Sequence, residues 1–299
     1  TDMKTMKIVM VGLVGILSAC SSHENKYDAT GLFEATEVVV SAEQNGRLLQ
    51  LGVTEGAEVS EGQQVGLIDT VQLTLKARQV GANSKSIANQ KPDVNAQIAV
   101  LRQQLKQAEQ ERQRFEGLVN DGAANRKQLD DATSAVQVLK RQLAAQQSSL
   151  NTSTRALNSQ ISANDIQKYQ VLDQLKKCHV TSPLTGTVLE KYAEEGEFAS
   201  IGKPLFKVAD TKNLFLRAYL TSRQLEKVKI GQQVTVFSDY GDNTSKEYKG
   251  KVVWISPRSE FTPKTILTDD ERADQVYAVK IAVQNDGHIK IGMYGGMKL

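Results

Sequence analysis

Cysteine, histidine and aromatic residues are scarce in this chain of 299 residues. It has two cysteines and three histidines, whereas a structural zinc site takes about four such ligands close in space, so we predict no metal site. Aromatic residues make up 5% and hydrophobic residues 40%, which is lean for the two compact cores that the length suggests. We therefore expect a large part of the chain to lie outside any globular core.

The chain also has no large excess of one charge sign, since it contains 37 basic and 34 acidic residues. This balance argues against a strongly basic nucleic-acid binder, and the 24% of charged residues argue against a polytopic membrane protein. No nucleophile elbow, zinc-protease motif or glycine-rich phosphate loop is present. Cys178 and His179 form the one suggestive pair, but neighbours on a strand point to opposite faces. We predict no enzymatic activity and no cofactor, and we interpret Met293 and Met297 as packing residues rather than copper ligands.

Residues 1–19 are typical of a bacterial signal peptide. Two lysines precede the apolar run Ile8–Leu17, which is shorter than the roughly 20 residues that span a bilayer. Leu17-Ser18-Ala19-Cys20 resembles the lipobox of bacterial lipoproteins, which implies a lipid on Cys20 and a mature chain that begins there. The alternative is a simple secretory peptide that happens to contain a cysteine. Residues 20–35 are predicted to form a tether.

A repeat at a constant offset of 140 residues is the most informative feature of the sequence. The coinciding positions are Gly46, Leu49, Glu55, Gly56 and Gly62 in one copy and Gly186, Leu189, Glu195, Gly196 and Gly202 in the other. Both copies, residues 36–69 and 178–210, predict strands separated by glycine turns. Units this small cannot bury an apolar face alone, so we expect them to pack on each other as a flattened sandwich.

The stretch between the copies, residues 70–177, predicts a helical hairpin. It has 16 basic and 9 acidic residues and two of the sixteen aromatic residues of the chain. Apolar residues recur in alternating steps of four and three, the period of a coiled coil. The first series is Val94, Ile98, Leu101, Leu105, Ala108, Phe115 and Val119, and the second is Leu129, Ala132, Val136, Leu139, Leu143, Leu150, Leu157 and Ile161. Turn-forming residues at about 120–125 separate them, which predicts two antiparallel helices about 75 Å long. Pro92 should kink or interrupt the first helix.

Residues 211–299 predict several short strands, which usually close into a barrel. The strands are expected at Leu214–Tyr219, Gln233–Phe237, Lys249–Ile255 and Val276–Val283, with a short helix within Thr221–Lys229. A separate membrane-proximal domain is expected to be either missing or reduced to the strand at Thr36–Val40. The predicted fold is therefore an elongated α+β chain, with a coiled-coil hairpin inserted into a β-sandwich and followed by an antiparallel β-barrel.

The split repeat is similar to the two halves of a lipoyl or biotinyl carrier domain, but no lysine stands at the hairpin where carriers are modified. Signal, split repeat, helical hairpin and barrel together resemble the periplasmic adaptors of the HlyD or membrane-fusion family. The resemblance implies a self-associating trimer or hexamer that links an inner-membrane transporter to a TolC-like outer-membrane channel. It also implies a periplasmic location, with the lipid on Cys20 in a membrane, the inner one being favoured.

At the hairpin tip, the residues that match the family's channel-contact motif are Arg114, Leu118 and Asn125, with Asn in the place of the usual Ser. The alternative is an ordinary helix end, with Arg114 solvated, Leu118 in the seam and Asn125 as an N-cap. The segments Glu260–Thr265 and Asp274–Val279 are similar to adaptors of ABC-type exporters. The other candidate functions are an adaptor of a proton-driven RND or MFS pump and a coiled-coil scaffold lipoprotein without a transport role.

Overall fold

The computed structural model describes residues 27–240, 245–261 and 275–299, so the predicted signal peptide and Cys20 lie outside the described residues. Thirteen strands and four helices are found within these ranges. The strands are β1 Ala29–Ser41, β2 Gly46–Leu51, β3 Glu58–Val59, β4 Gln64–Ile68, β5 His179–Thr181, β6 Gly186–Lys191, β7 Phe198–Ala199, β8 Pro204–Thr221, β9 Gln233–Asp239, β10 Ser245–Ile255, β11 Glu260–Phe261, β12 Gln275–Gln284 and β13 Tyr294–Lys298. The helices are α1 Val71–Asn89, α2 Val94–Asn120, α3 Arg126–Lys177 and α4 Ser222–Leu225.

The two sequence copies form one interlocked sandwich, as predicted. Strands β2, β3 and β4 begin at positions 46, 58 and 64, and β6, β7 and β8 begin 140 residues later in the same order. The copies exchange their short strands, because β3 pairs with β6 and β7 pairs with β2. Their apolar side chains share one core, which includes Leu48, Ile68, Leu205, Phe206 and Val208.

The insertion is a long helical hairpin that follows the predicted seam. Both α1 and α2 pack against α3, whose 52 residues give a rod about 78 Å long at 1.5 Å per residue. Every residue of the two predicted heptad series is partly or fully buried, with Ile98, Val136 and Leu150 the most enclosed. The seam prediction is therefore confirmed.

Pro92 interrupts the first arm of the rod, in agreement with the prediction. Helix α1 ends at Asn89, and α2 begins at Val94 with the Asp93 side chain accepting a hydrogen bond from the Ala96 backbone amide at 3.0 Å. Both helices still pack against α3 on either side of the break, with Ile87 of α1 and Val94 of α2 partly buried. Both pieces of this arm therefore contribute to the seam.

The C-terminal strands close into a barrel of six strands. The pairings run β1–β8, β8–β12, β12–β10, β10–β9, β9–β13 and β13–β1, which completes the ring. Its core includes Phe33, Leu216, Val236, Ile281 and Met297, so Met297 is a packing residue. The predicted short helix is the single turn α4, which Thr221 caps.

Two predictions about the N-terminal segment are wrong, because β1 is longer than expected. Residues 29–35 are not part of a tether but the first half of β1, and Phe33 in this stretch is only 1% exposed in the barrel core. Thr36–Val40 is not a separate domain, since it continues β1 and pairs with β8 in the sandwich. Strand β8 runs from the sandwich into the barrel, and its side chains pass from one core to the other between Val208 and Leu214, which agrees with the predicted boundary at residue 210. Within the described residues, no helix is both long enough and apolar enough to cross a membrane.

Candidate partner-binding site at the hairpin tip

The end of α2 is shaped by a glycine in the left-handed region. Gly122 has a φ of 72°, its amide donates to the Val119 carbonyl at 3.1 Å, and the Ala123 amide donates to the Leu118 carbonyl at 2.8 Å. This is the Schellman arrangement that ends many helices, and it turns the chain sharply away from the rod axis. The tip is therefore a short ordered reversal at Asp121–Asn125.

Asn125 starts α3 as a helix cap. Its side chain accepts a hydrogen bond from the Lys127 amide at 3.1 Å, and the Gln128 side chain accepts one from the Asn125 amide at 3.2 Å. These reciprocal bonds form a capping box, in which side chains satisfy backbone amides that the helix leaves unpaired. The local role predicted for Asn125 as an N-cap is thus present in the structure.

Arg114 is held on the outside of α2, just before the tip. Its guanidinium lies 2.5 Å from the Glu111 carboxylate and 5.5 Å from the centre of the Phe115 ring, and its side chain is 64% exposed. The Glu111 and Phe115 contacts restrict the side chain without covering it. The guanidinium retains donors that can bind carboxylates or carbonyls of a partner.

Leu118 lies outside the coiled-coil seam, which corrects the alternative that placed it there. It is 37% exposed, while Phe115 and Val119 on either side of it are partly buried. Arg114 and Leu118 are four residues apart and therefore share one face of α2. Together they present a cation and an apolar side chain to solvent, whereas Asn125 caps the other helix.

The sandwich that carries the rod is braced by hydrogen bonds that occur in symmetric pairs. The Gly56 amide donates to the Val188 carbonyl at 2.8 Å, and the Gly196 amide donates to the Leu48 carbonyl at 2.7 Å. Each residue of one bond is offset by 140 from its counterpart in the other, so the two copies are related by an approximate two-fold axis. Hydrogen bonds from both copies therefore stabilise the sandwich at the base of the rod.

Two glutamates, Glu55 and Glu195, form a further symmetric pair of hydrogen bonds. The sequence repeat places them at equivalent positions but does not reveal what they bind. Glu195 accepts a hydrogen bond from the Leu51 amide at 2.9 Å, and Glu55 accepts one from the Lys191 amide at 3.2 Å. Each carboxylate therefore binds the end of the first strand of the other copy. The signal that could have revealed this was the repeat of Glu-Gly at the same offset as the strands.

The predicted turn glycines fall into two groups. Gly56, Gly62, Gly196 and Gly202 lie in turns with φ values of 84°, 77°, 89° and 87°. Gly46 and Gly186 are not turn residues, which corrects the prediction, because each begins a strand. They are positions of close approach: an added Cβ would lie 2.8 Å from Ile68 Cγ2 at Gly46 and 2.1 Å from the Ala209 carbonyl oxygen at Gly186.

The two ends of the rod meet at the sandwich. The Ile68 amide donates to the Cys178 carbonyl at 2.9 Å, and Leu67 is paired with His179. Cys178 is fully buried, which raises the pKa of its thiol, while the His179 side chain is exposed on the strand. The two side chains therefore do not meet as a nucleophile and base. Among the residues with described positions, no three His, Cys, Asp or Glu side chains are grouped to hold a metal ion.

On the barrel, only the edges of the segment similar to ABC-type adaptors are described. Glu260 lies in β11 and accepts a hydrogen bond from the Arg217 guanidinium at 2.8 Å. Val276–Val283 lie in β12, while residues 262–274 fall outside the described ranges. The described part of this segment therefore places Glu260 in an ion pair on the barrel wall.

Comparison with known proteins relates these features to one family. Residues 36–211 match the family model described as RND MFP, barrel-sandwich hybrid domain. A UPF0194 membrane protein of Yersinia enterocolitica is 30% identical over 322 aligned residues, covering 96% of this chain and 95% of that protein. A UPF0194 membrane protein of Acidithiobacillus ferridurans is 27% identical over 309 residues, covering 96% of this chain and 91% of that protein.

The solved structure of MacA from Actinobacillus actinomycetemcomitans has the same fold. It superposes with a TM-score of 0.55 at 23% identity, covering 90% of this chain and 76% of that one. The family model spans more than half of the chain, and it includes both halves of the interlocked sandwich and the whole hairpin between them. This chain therefore belongs to the membrane fusion proteins, the family of periplasmic adaptors.

Proposed function

We propose that this protein is the adaptor of a tripartite exporter and joins an inner-membrane transporter of the ABC type to a TolC-like outer-membrane channel. The observation that carries this proposal is the exposed Arg114–Leu118 surface at the far end of a rod about 78 Å long. A seam residue would be covered by the opposite helix, but Leu118 faces solvent next to a cation. Such a surface suits the grooves between the helices of a channel.

In this proposal the protein performs no chemistry and acts by its shape. Three or six copies stand side by side around an axis, with their barrels towards the transporter and their rods towards the channel, and enclose a duct. The rod carries 16 basic and 9 acidic residues between positions 71 and 177, and this excess favours approach to an acidic partner. Because both ends of the rod continue directly into strands of the sandwich, movement of the sandwich is transmitted to the tip.

The proposal includes a lipid on Cys20 that holds the protein on the periplasmic side of the inner membrane. Acyl chains contribute about 0.8 kcal/mol for each methylene group that enters the bilayer, so lipid on one residue can retain a soluble body at a membrane. The lipobox-like Leu17–Cys20 supports this part of the proposal.

An RND transporter is the second candidate partner, because the matching family model is described for RND membrane fusion proteins. The ABC-type partner is supported by the segments at Glu260–Thr265 and Asp274–Val279. Purification from membranes in mild detergent, followed by mass spectrometry, distinguishes the two. An ATP-binding subunit in the complex is expected, and an RND subunit in its place would contradict the ABC assignment.

The proposed channel contact at the tip is tested by replacing its cationic and apolar side chains with acidic ones. We expect the double change Arg114→Asp and Leu118→Asp to abolish crosslinking between a cysteine at Ala123 and the outer-membrane channel, because it removes the cation and the apolar contact together. The matched control is Val138→Asp with Arg141→Asp, an exposed pair in the first third of α3, away from the tip. Circular dichroism should show both variants fully folded.

Measurements of crosslinking and of efflux distinguish an adaptor from a scaffold without a transport role. Undiminished crosslinking in the tip variant, or equal loss in the control, would contradict the proposed channel contact. In a deletion strain we expect reduced efflux for part of a broad substrate panel. Unchanged efflux across the panel would favour the scaffold instead.

A further inference from the structure

The end of the barrel that lies away from the sandwich has an unusual surface. The chain enters the barrel here at Tyr27, β13 ends here, and the connection from β8 to β9 crosses it. The entry is held in place, since the Leu299 amide donates to the Asp28 carboxylate at 2.8 Å and the Gln224 side chain donates to the Asp28 carbonyl at 2.6 Å. We call this surface the distal end of the barrel.

The distal end combines exposed apolar side chains with basic side chains that form no ion pair with other described residues. Ile230 is 67% exposed and Trp254, the single tryptophan of the chain, is 38% exposed. Six exposed basic residues lie at this end or on the strand segments that reach it, namely Arg223, Lys227, Lys229, Lys251, Arg258 and Lys298. None of the six forms an ion pair within the described part of the chain.

The acidic residues of the described distal end are fewer and mostly engaged. Asp28 accepts the Leu299 amide, and Glu260 is paired with Arg217, which leaves Glu226 without an ion pair to another described residue. The net charge of the described part of this surface is therefore positive. A surface with basic residues around tryptophan and isoleucine suits the interface of a bilayer that contains anionic lipid.

The length of chain before the barrel limits how far this end can lie from a membrane. Six residues lie between Cys20 and Tyr27, and the seven steps from one to the other span at most about 25 Å when fully extended. The opposite end of the barrel lies farther away, because residues 29–35, the first half of β1, cross the barrel before the strand enters the sandwich. A lipid on Cys20 would thus keep the distal end, and not the sandwich, at the bilayer surface.

From these observations we propose that the distal end of the barrel docks on the anionic surface of the membrane that holds the lipid anchor. This inference rests on the proposed lipidation of Cys20. The basic side chains bind phosphate groups of the lipids, while Trp254 and Ile230 enter the headgroup region. Docking orients the rod away from the membrane, because the sandwich and the hairpin extend from the other end of the barrel.

Trp254 provides the measurement, since it is the only tryptophan of the chain. The full chain, extracted with its lipid and inserted into vesicles of equimolar phosphatidylcholine and phosphatidylglycerol, should show Trp254 quenching by lipids brominated near the headgroup. The protein is tested with residues 262–274 in place, so that their charges contribute to the result. Quenching should weaken in pure phosphatidylcholine and at high salt, because both remove the electrostatic attraction.

The test variant is Arg223→Gln with Lys227→Gln and Lys229→Gln. Each basic residue near an anionic surface changes binding about fivefold, so the docking equilibrium should fall on the order of 100-fold. The matched control removes three exposed basic residues from α3, by Lys127→Gln, Arg141→Gln and Lys168→Gln. We expect the control to keep the quenching of the unchanged protein.

The failures of this inference and of the proposed anchor can be told apart. A mass spectrum of the extracted protein without acyl chains would overturn both. Lipid-bearing protein with unquenched Trp254 in anionic vesicles would overturn the docking alone. If Trp254 is shielded from a soluble quencher only when the co-purified transporter is present, the surface belongs to that protein partner and the membrane contact is wrong.

Discussion

Single glycines in the sandwich have two different roles, and these can be separated by substitution. Gly186 begins β6 where an added Cβ would lie 2.1 Å from a backbone oxygen, whereas at its counterpart Gly46 the nearest atom belongs to the Ile68 side chain. A backbone atom moves less easily than the end of a side chain. The two copies therefore tolerate the same change unequally.

We expect Gly186→Ala to reduce the free energy of unfolding more than Gly46→Ala does. Overpacking in a core costs about 1–3 kcal/mol, and we place Gly186→Ala at the upper end and Gly46→Ala at the lower end. The control is Gly117→Ala, inside α2 with nothing within 4 Å of the added Cβ, which should stabilise by roughly 0.5–1 kcal/mol. Urea unfolding measures all three, and equal losses at Gly46 and Gly186 would refute the distinction.

At the scale of elements, the rod combines a continuous seam with a broken helix. The helix stops before Pro92 because proline lacks a backbone amide and restricts the residue before it. The seam continues because α1 and α2 both pack against α3 on either side of the four non-helical positions Gln90–Asp93. The break is therefore a local loss of helix and not a shift of packing.

Pro92→Ala should join α1 and α2 into one helix. We expect about 1–3 kcal/mol of added stability, since proline in a helix interior costs roughly 3 kcal/mol and the seam needs no repacking. Circular dichroism at 222 nm and thermal unfolding measure the gain. Lys91→Ala, in the same break, is the control and should change neither, while a decrease in helicity with Pro92→Ala would show that the break is needed for packing.

The whole molecule is modular, because the rod enters and leaves the sandwich at one place. The Ile68 amide and the Cys178 carbonyl are 2.9 Å apart, so the ends of the insertion are already neighbours. The sandwich and barrel cores use few rod residues, of which Leu73 is packed against the sandwich core. The body of the protein should thus fold without its rod.

Replacing residues 70–177 by Asn-Gly should leave a sandwich and barrel that unfold cooperatively. The short loop suits the antiparallel pairing of β4 with β5, which is directly continued at the junction. Export should be lost in cells, because the reach to the outer membrane is removed. A shortened protein that remains unfolded in solution would show that the rod stabilises the body.

Particular residues show how much of the fold the sequence predicts. The repeat at an offset of 140, the heptad series and the Pro92 break were all predictable, because each depends on spacing within a short stretch. The first half of β1 was misassigned, since Phe33 joins the barrel only through pairing with strands about 180 and 260 residues later. The local pattern around Ala29–Ala35 contains no sign of those partners.

At the hairpin tip, too, some features follow from the local sequence and others depend on tertiary packing. The position of the tip and the capping residue Asn125 follow from local turn chemistry, as does the end of α2 at Gly122. The exposure of Leu118 depends on how α2 is rotated against α3, which is determined by packing along the whole seam. Leu118 could therefore be assigned to the outer face only once the two helices were placed together.

By itself the sequence determined the order of sandwich, rod and barrel, because periodicity and repetition are properties of the chain read in one direction. Tertiary structure decided which strands exchange between the copies, how β1 and β8 take part in both the sandwich and the barrel, and which residues of the rod face outward. The strand exchange and the shared strands depend on contacts between residues more than a hundred positions apart, such as Glu195 with Leu51, and the outward faces of the rod depend on the packing of α2 against α3. Such contacts form only when the whole chain has folded.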